Sequence, residues 1–494
     1  MAKGSRRTRR AQPKPVTEQG APAAGRESGQ LLREFTLANA FSLAFAFISP
    51  IVGLYSIFSL GLAAAGPGFW FGFPIVLAGQ ILVALVFGML AARFPYEGSV
   101  YQWSGHLIGP RYAWFAGWTY VWVLPISMGA VALAGSYFLA QLAGLDPHSH
   151  AVILSLSAAL LAFATWGNTH GRFILNAIVG LCIAAEVIAS VGVGILLLVF
   201  HRVHPLSFLV SNPHIFGNVH SLTGLFESPL AASVAIAGWA LLGFESAGSV
   251  AEEVRSPETA IPKAMLYSLL CVAGVISFSA LSMILAIPDI DQALRGQDAD
   301  PVASTLTYYF GTIGFKGMLC LFMVGFIACI LGTQASVSRV IWAFARNDAL
   351  PGSRWLKLLS AKDRLPVNAI LLTSIMAAGM LLFSLTNVYA TLVSFTTAGF
   401  YIAFSFPLLA AAWVRLTGRW SNGPFHLGPF TGPTIYAAAA WIVFETVNIG
   451  WPRLPSAPWY ENWAVPVMAT LIGGLGILVR VLVPTISARR DSRE

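Results

Sequence analysis

The chain is 494 residues long, 56% hydrophobic and 10% charged, with a mean hydropathy of +0.72 and a formal net charge of +8. Soluble globular chains carry about 25% charged residues, so this surface is not built to face water and an integral membrane protein is the class that remains. The positive charge gathers in the tails, the loops and the ends of the apolar runs, a placement that sets nucleic acid aside as a partner. Cys182, Cys271, Cys320 and Cys329 stand in apolar runs without metal-like spacing and read as small buried residues.

Residues 1–30 are basic and rich in Pro and Gly, and they lack the apolar centre of a signal peptide. They read as a disordered cytoplasmic tail held near anionic lipid. No Asp, Glu, Lys or Arg lies between Glu34 and Arg93, which leaves room for two membrane helices around the turn Gly66-Pro67-Gly68. The stretch from Arg364 to Arg415 repeats this, with Thr386-Asn387 as its turn. Read in the same way, the whole chain predicts an all-α membrane protein of twelve spans. They fall near 36–65, 69–92, 112–143, 149–167, 172–200, 228–251, 262–287, 313–345, 366–385, 388–414, 431–450 and 463–484. Of the Lys and Arg residues, all but Arg202, Arg295, Lys316 and Arg453 fall on one side of this layout. The positive-inside rule then places both termini in the cytoplasm of a plasma or inner membrane.

Two spans break the helical pattern. Span 1 contains Ile48-Ser49-Pro50-Ile51-Val52-Gly53, where Pro50 has no N–H and Gly53 tolerates unusual dihedrals. Span 6 contains Gly243-Phe244-Glu245-Ser246-Ala247-Gly248, a carboxylate among glycines in an apolar run. Irregular backbone at membrane depth survives only where protein buries it or where it lines a cavity. Two interrupted segments, each opening a set of five spans, are the signature of an inverted-repeat carrier. The expected divisions are 31–200 (spans 1–5), 201–414 (spans 6–10) and 415–484 (two peripheral spans), with 485–494 as a second cytoplasmic tail. Each break taken singly also reads as a kink or a close-packing site.

Three blocks resemble the amino acid–polyamine–organocation (APC) superfamily of permeases. Gly243 to Met265 is similar to its signature between helices 6 and 7, and Phe94 to Arg111 to its loop between helices 2 and 3. Ser338 to Pro366 is similar to the end of helix 8 and the start of helix 9. The resemblance implies a 5+5 inverted repeat with substrate held where helices 1 and 6 unwind. Such permeases usually hold the substrate carboxylate on free amides of a Gly-x-Gly-like break. Here Ser49-Pro50-Ile51-Val52-Gly53 departs from that pattern, closer to the branch that handles amino acids together with choline or 4-aminobutyrate.

The residues suit that work. The break in span 1 exposes N–H groups for a carboxylate and carbonyls for an ammonium. Span 6 offers the same pair through Gly243, Phe244 and Ser246, together with Glu245. An intramembrane acid costs about 3 kcal/mol even on lenient scales. Glu245 therefore reads as an amine partner or proton carrier, or else as a brace for the loop. Trp239, one turn before Gly243, reads as a gate over the substrate or as a packing residue. In span 5, Glu186 reads as a proton carrier where some relatives place a lysine, or as a lock between helices. Thr333 and Ser336 share a face of span 8 and could join carbonyls of span 1 around sodium, although such hydroxyls more often bond to their own backbone. Glu252, Glu253, Arg255 and Lys263 are expected to pair with Arg93 or Arg346 at the cytoplasmic side, or to form a solvated loop. Glu445 falls outside the repeats and reads as a packing or interface residue. Tyr120, Trp122, Ser394 and Thr396 are further candidates for substrate contact.

The expectation is a secondary carrier, not an enzyme, that imports an amino acid or related amine with a proton by alternating access. An exchanger and a non-transporting sensor are the competing readings. No GxxxxGK[ST] loop for ATP occurs, and no cofactor or metal is expected. The partners expected are the small-molecule substrate, the lipid bilayer and a co-transported proton.

Overall fold

The computed structural model describes residues 33–170, 172–212, 214–217, 221–295, 297–298, 300–382, 389–453 and 458–482. Both predicted tails and the Thr386-Asn387 turn lie outside the described residues. Within them the regular structure is helical, apart from a single parallel bridge between Phe35 and Val254.

Thr36 caps α1 (Leu37–Ile48) reciprocally: its Oγ1 accepts from Asn39 N, and its own N–H donates to Asn39 Oδ1 at 2.9 Å. The helix stops at Ser49, whose φ of +47° cannot continue it, and resumes as α2 (Pro50–Tyr55). Pro50 is the first residue of α2, where its missing N–H would have had no helical partner in any case. Then come α3 (Phe58–Ala65), a 3-10 turn at the predicted Gly66-Pro67-Gly68, α4 (Gly72–Arg93), α5 (Val100–Leu107), α6 (Pro110–Ala143) and α7 (His150–Thr169). Helix α8 (Arg172–Glu186) passes through a π-helical turn, Val187–Gly192, into α9 (Val193–Phe200). Short α10 (Leu222–Phe226) precedes α11 (Pro229–Ala240), and α12 (Ser246–Ser249) follows a break in which Gly243 has φ +104°. The remainder is α13 (Pro257–Ala286), α14 (Ile290–Leu294), α15 (Pro301–Arg346, turned at Gly311), α16 (Ser353–Leu356), α17 (Val367–Leu381), α18 (Tyr389–Leu416), α19 (Thr431–Gly450), α20 (Trp459–Asn462) and α21 (Ala464–Leu482).

Among the described residues, nine helical runs are long and apolar enough to cross a membrane. The predicted sixth, ninth and eleventh spans are not among them. The sixth is cut by its break, so that only Pro229–Ala240 remains as a continuous apolar helix, and the ninth is the short Val367–Leu381. The eleventh, α19, is 20 residues long but carries Thr431, Thr434, Glu445, Thr446 and Asn448.

Helix α13 packs along α4 and α1, α6 lies against α15, α18 and α7, and α18 packs on α19. The interior therefore runs through α6 and the second half of α15, while α21 is largely exposed. Cys182 and Cys329 are buried as expected, but Cys271 and Cys320 are exposed. Their apolar neighbours form an outer face, and hydropathy cannot separate a lipid-facing surface from a protein core. Without a hydrophobic drive between helices in lipid, small residues and polar contacts hold the bundle. At Gly72 a Cβ would stand 2.6 Å from Ser233 O, so α4 and α11 meet at backbone distance. Gln334 Nε2 donates to Ser374 Oγ at 2.7 Å, and Asn168 Nδ2 donates to Gln334 Oε1 at 2.9 Å, joining α7, α15 and α17.

A charged layer closes the α5 end. Arg339 donates to Glu253 at 2.8 Å with both side chains buried, and Arg346 holds both carboxylate oxygens of Glu252 at 2.7 and 2.8 Å. Of the pairs expected from sequence, Glu252 with Arg346 forms, whereas Glu253 takes Arg339 and Arg93 donates to Ser421 O. The segment ahead of α1 is strapped across this layer: Phe35 N–H donates to Glu253 O, and Arg255 N–H donates to Phe35 O, both at 2.8 Å. Between α4 and α5, Glu97 is buried and, among the described residues, its carboxylate oxygens lack hydrogen-bond partners. Burial holds the Glu97 carboxyl well above the ordinary carboxylate range; Glu253 and Glu252 add to this, and Arg339 and Arg346 oppose it.

Three outcomes follow for thermal unfolding of the purified protein. Gly72→Ala destabilises by about 1–3 kcal/mol, because the obstructing atom is backbone and no rotamer relieves it; Gly180→Ala, with nothing within 4 Å, does not. Arg339→Met takes the guanidinium away from the buried Glu253 at a cost of about 3–5 kcal/mol, and adding Glu253→Leu restores most of it. The third outcome concerns pH. As pH rises from the ordinary carboxylate value of 4.5, the unfolded chain ionises Glu97 freely while the folded chain resists, so stability falls until the raised folded value is passed. Glu97→Gln removes that component of the decline.

Candidate functional site

The two breaks lie against each other. A Cβ on Gly243 would stand 2.0 Å from the Phe47 ring, and one on Gly53 would stand 3.1 Å from Ala240 O. Glycine at 243 is thus required twice, by its positive φ and by the ring of α1 pressed onto it.

At the first break, the amides freed by the interruption are occupied by the chain itself. Glu186, the last residue of α8 before the π-helical turn, accepts from Ser49 Oγ and, at 2.8 Å, from Ile51 N–H. Cys182 Sγ lies 3.7 Å from the same carboxylate, and a Cβ on Gly325 would meet it at 3.1 Å. Val52 N–H donates to Ser49 Oγ at 3.2 Å and Gly53 N–H to Ser49 O at 2.7 Å. At the second break, Glu245 accepts from Tyr120 OH of α6 at 2.7 Å and from Gly243 N–H at 3.1 Å. Both carboxylates are fully buried, and among the described residues neither has a cation as hydrogen-bond or ion-pair partner.

Between the breaks lies a cavity of ≈ 20 Å³, room for about one water. Phe47, Ile48 and Val52 line it from the first break and Trp239 and Leu242 from the second; Ser127 and Val131 come from α6, Cys329 and Thr333 from α15, and Phe400 from α18. Three aromatic rings therefore surround a small space with few polar atoms.

Of the residues singled out from sequence, Val52, Trp239 and Thr333 line this cavity. Ser49 and Ile51 bind Glu186, Pro50 opens α2, and Gly53 is the packing contact with α11. Phe244 turns its ring toward Phe87 and Phe404, away from the cavity. Ser246 is buried, with no partner for its hydroxyl among the described residues. The Ser336 hydroxyl pairs with Ser249 Oγ of α12 at 2.8 Å, while Thr333 faces the cavity. Tyr120 belongs to the site through Glu245; Ser394 is exposed, and Thr396 is buried without a hydroxyl partner. Phe47, Ser127, Cys329 and Phe400 were not anticipated. Cys329 lies one turn before Thr333 on the same helix and could have been found by that spacing. Phe400 is an ordinary apolar residue in an apolar helix and carries no such signal. Among the described residues no group of three His, Cys, Asp or Glu side chains is arranged to hold a metal ion.

Comparison with known proteins agrees with this architecture. The amino acid permease family matches residues 39–475 of the chain. The amino-acid permease BAT1 homolog of Oryza sativa subsp. japonica is 27% identical, over 91% of this chain and 90% of its own. The branched-chain amino acid permease BcaP of Lactococcus lactis subsp. cremoris is 26% identical, over 87% and 89%, and a choline transporter of Saccharomyces cerevisiae is 23% identical, over 89% and 80%. A family match over most of the chain, on a helical fold of membrane-spanning composition, makes this protein a member of the amino acid permease family of the APC superfamily, a multi-pass membrane transporter and not an enzyme.

Proposed function

We propose that this permease imports an amino acid or a related amine across the cytoplasmic membrane by alternating access, coupled to a proton. The observation that carries the reading is the meeting of two helix breaks around one aromatic-lined cavity, each break held by a buried carboxylate without a cation. In this reading the chain crosses twelve times with both termini inside, and the three shorter helical segments complete the nine long ones. Spans 1–5 and 6–10 form the inverted repeats, spans 11 and 12 stand outside them, and the charged layer at the α5 end is the closed inner gate.

Proton coupling rests on Glu186 and Glu245. A buried carboxylate must be balanced by donors or neutralised by a proton. Ionised, Glu186 accepts from both Ser49 and Ile51 and holds α8 against the first break. When a proton occupies one of its oxygens, that oxygen becomes a donor, its grip on the break weakens, and Ser49 and Ile51 become available to the substrate carboxylate. Glu245 stands in the same relation to Tyr120 and Gly243, and in this reading it meets the substrate amine once the rings lining the cavity have moved. At ≈ 20 Å³ the cavity is too small for an amino acid, so Trp239, Phe47 and Phe400 must move to admit substrate; Trp239 is the gate. Thr333 adds a hydroxyl beside the substrate, and Ser336 ties α15 to α12 as the halves move.

The same three rings favour one other substrate class. A quaternary ammonium ion is held by aromatic faces, and a choline transporter is among the relatives.

The test is uptake into proteoliposomes of labelled amino acids, 4-aminobutyrate, choline and polyamines, with and without an inward proton gradient in sodium-free buffer. Gradient-driven accumulation of an amino acid is expected. Glu186→Gln lowers gradient-driven uptake roughly tenfold or more, the loss of a charge-assisted hydrogen-bond pair, while exchange against preloaded substrate persists. Equal accumulation by the variant and the parent removes Glu186 from coupling, and accumulation that requires sodium overturns proton import.

A further inference from the structure

Another buried carboxylate lies away from the cavity. Glu445 of α19 is fully buried; Oε2 accepts from Asn448 Nδ2 at 3.0 Å, and Oε1 is buried with no hydrogen-bond partner among the described residues. From α18, Tyr401 faces it, buried, its phenol oxygen accepting from Gln80 Nε2 of α4 at 2.9 Å. Gln80 Oε1 is also buried without a partner. From α11, Gly238 completes the wall: a Cβ there would stand 3.2 Å from Glu445 Oε1 and 3.3 Å from Tyr401 OH. The charged group that faces Glu445 is Arg453, just beyond α19, which donates to Asn448 Oδ1 and so reaches the carboxylate through the Asn448 amide.

This cluster grips the outer half of the broken helix. Asn448 Nδ2 donates to Ala231 O in the first turn of α11, and Arg453 Nε donates to Phe226 O just ahead of it, each at 3.0 Å. Gly238, near the other end of α11, faces Glu445, and the next residue, Trp239, lines the cavity. Successive residues point about 100° apart around a helix, so one face of α11 meets the cavity and the adjoining face meets Glu445.

The unsatisfied atoms decide what the cluster takes. Gln80 Oε1 and Glu445 Oε1 are unpaired acceptors, too few for the roughly six oxygens that a hard cation requires. A single proton on Glu445 Oε1 turns an orphan acceptor into a donor, with the Tyr401 phenol oxygen across the gap as its acceptor. We propose that Glu445 is a further protonation site of this carrier, built into α19, and that its proton sets the position of α11 and hence of Trp239. The proton comes from water, forms an O–H bond at Oε1 and leaves by the same route. With the proton on, Glu445 is neutral and ties α18 and α19 together behind α11; with it off, a buried negative charge faces Gly238, balanced by the Asn448 amide and the Tyr401 hydroxyl, and α11 is displaced. The inference rests on the proton-coupled reading for its role in transport, but not for the protonation itself.

The experiment uses the full chain, parent and Glu445→Gln, in two measurements. Infrared difference spectra between low and high pH are expected to show a buried-carboxyl C=O band that is lost in Glu445→Gln and shifted in Glu445→Asp. The pH profile of uptake in proteoliposomes is expected to lose one titration in Glu445→Gln and to recover it in Glu445→Asp. Unchanged spectra together with an unchanged profile overturn the proposal, and a band that is lost without a change in profile overturns the link to Trp239. If the parent transports nothing, the carrier reading fails while the infrared band still decides the protonation site. If Glu445→Gln does not fold, the band shift in Glu445→Asp decides it.

Discussion

The contact on which the central site depends is the one between Glu186 and the interrupted backbone at Ser49. An unsatisfied backbone amide in a bilayer costs several kcal/mol, so a helix cannot stop at membrane depth unless something receives its freed groups. Glu186 does this, accepting from the Ser49 hydroxyl and the Ile51 amide. The serine in turn holds a left-handed conformation that side chains adopt at a cost of about 1–2 kcal/mol. The π-helical turn that follows Glu186 widens α8 at that point, a distortion that recurs at functional sites. Removing the carboxylate would expose the break; retaining it places an ionisable group against the backbone that the proposed substrate must reach.

The second break uses the same chemistry from another direction. Glu245 turns back on the amide of Gly243 and accepts a hydrogen bond from the Tyr120 phenol, so α6 is tied to the second break as α8 is tied to the first. The two breaks are then pressed together through Phe47 on Gly243 and Gly53 on Ala240. Glycine permits both approaches, because backbone replaces side chain at each. The cavity is what remains between two satisfied interruptions, and its aromatic lining follows from the residues that flank them.

The α5 end is held differently. There two arginines and three acids share a small volume with a strap of backbone from ahead of α1. The buried Arg339–Glu253 pair is of a kind that adds little net stability against apolar replacements but is costly to break singly, whereas Arg346–Glu252 is partly exposed.

Much of this was legible in the sequence. Hydropathy and uncharged length revealed the membrane class, most of the spans and the locations of both interruptions, because each of these is a local property of the chain. The acids at 186 and 245 stood out because a charge in an apolar run has no local explanation. Neighbours across the bundle were not legible. That Glu186 would serve the Ser49 break, that Arg339 and not Arg93 would answer Glu253, and that Glu445 would press against Gly238 depend on contacts between segments distant in sequence. Phe400 and the exposed Cys271 and Cys320 show the same limit, since an apolar residue reads alike whether it faces a cavity, a core or lipid. Sequence alone determined where the helices had to break, since proline, glycine and a lone carboxylate act on their own backbone; only the tertiary structure decided which side chains answer the breaks, since a buried polar group is satisfied by whatever the packing brings within hydrogen-bond reach.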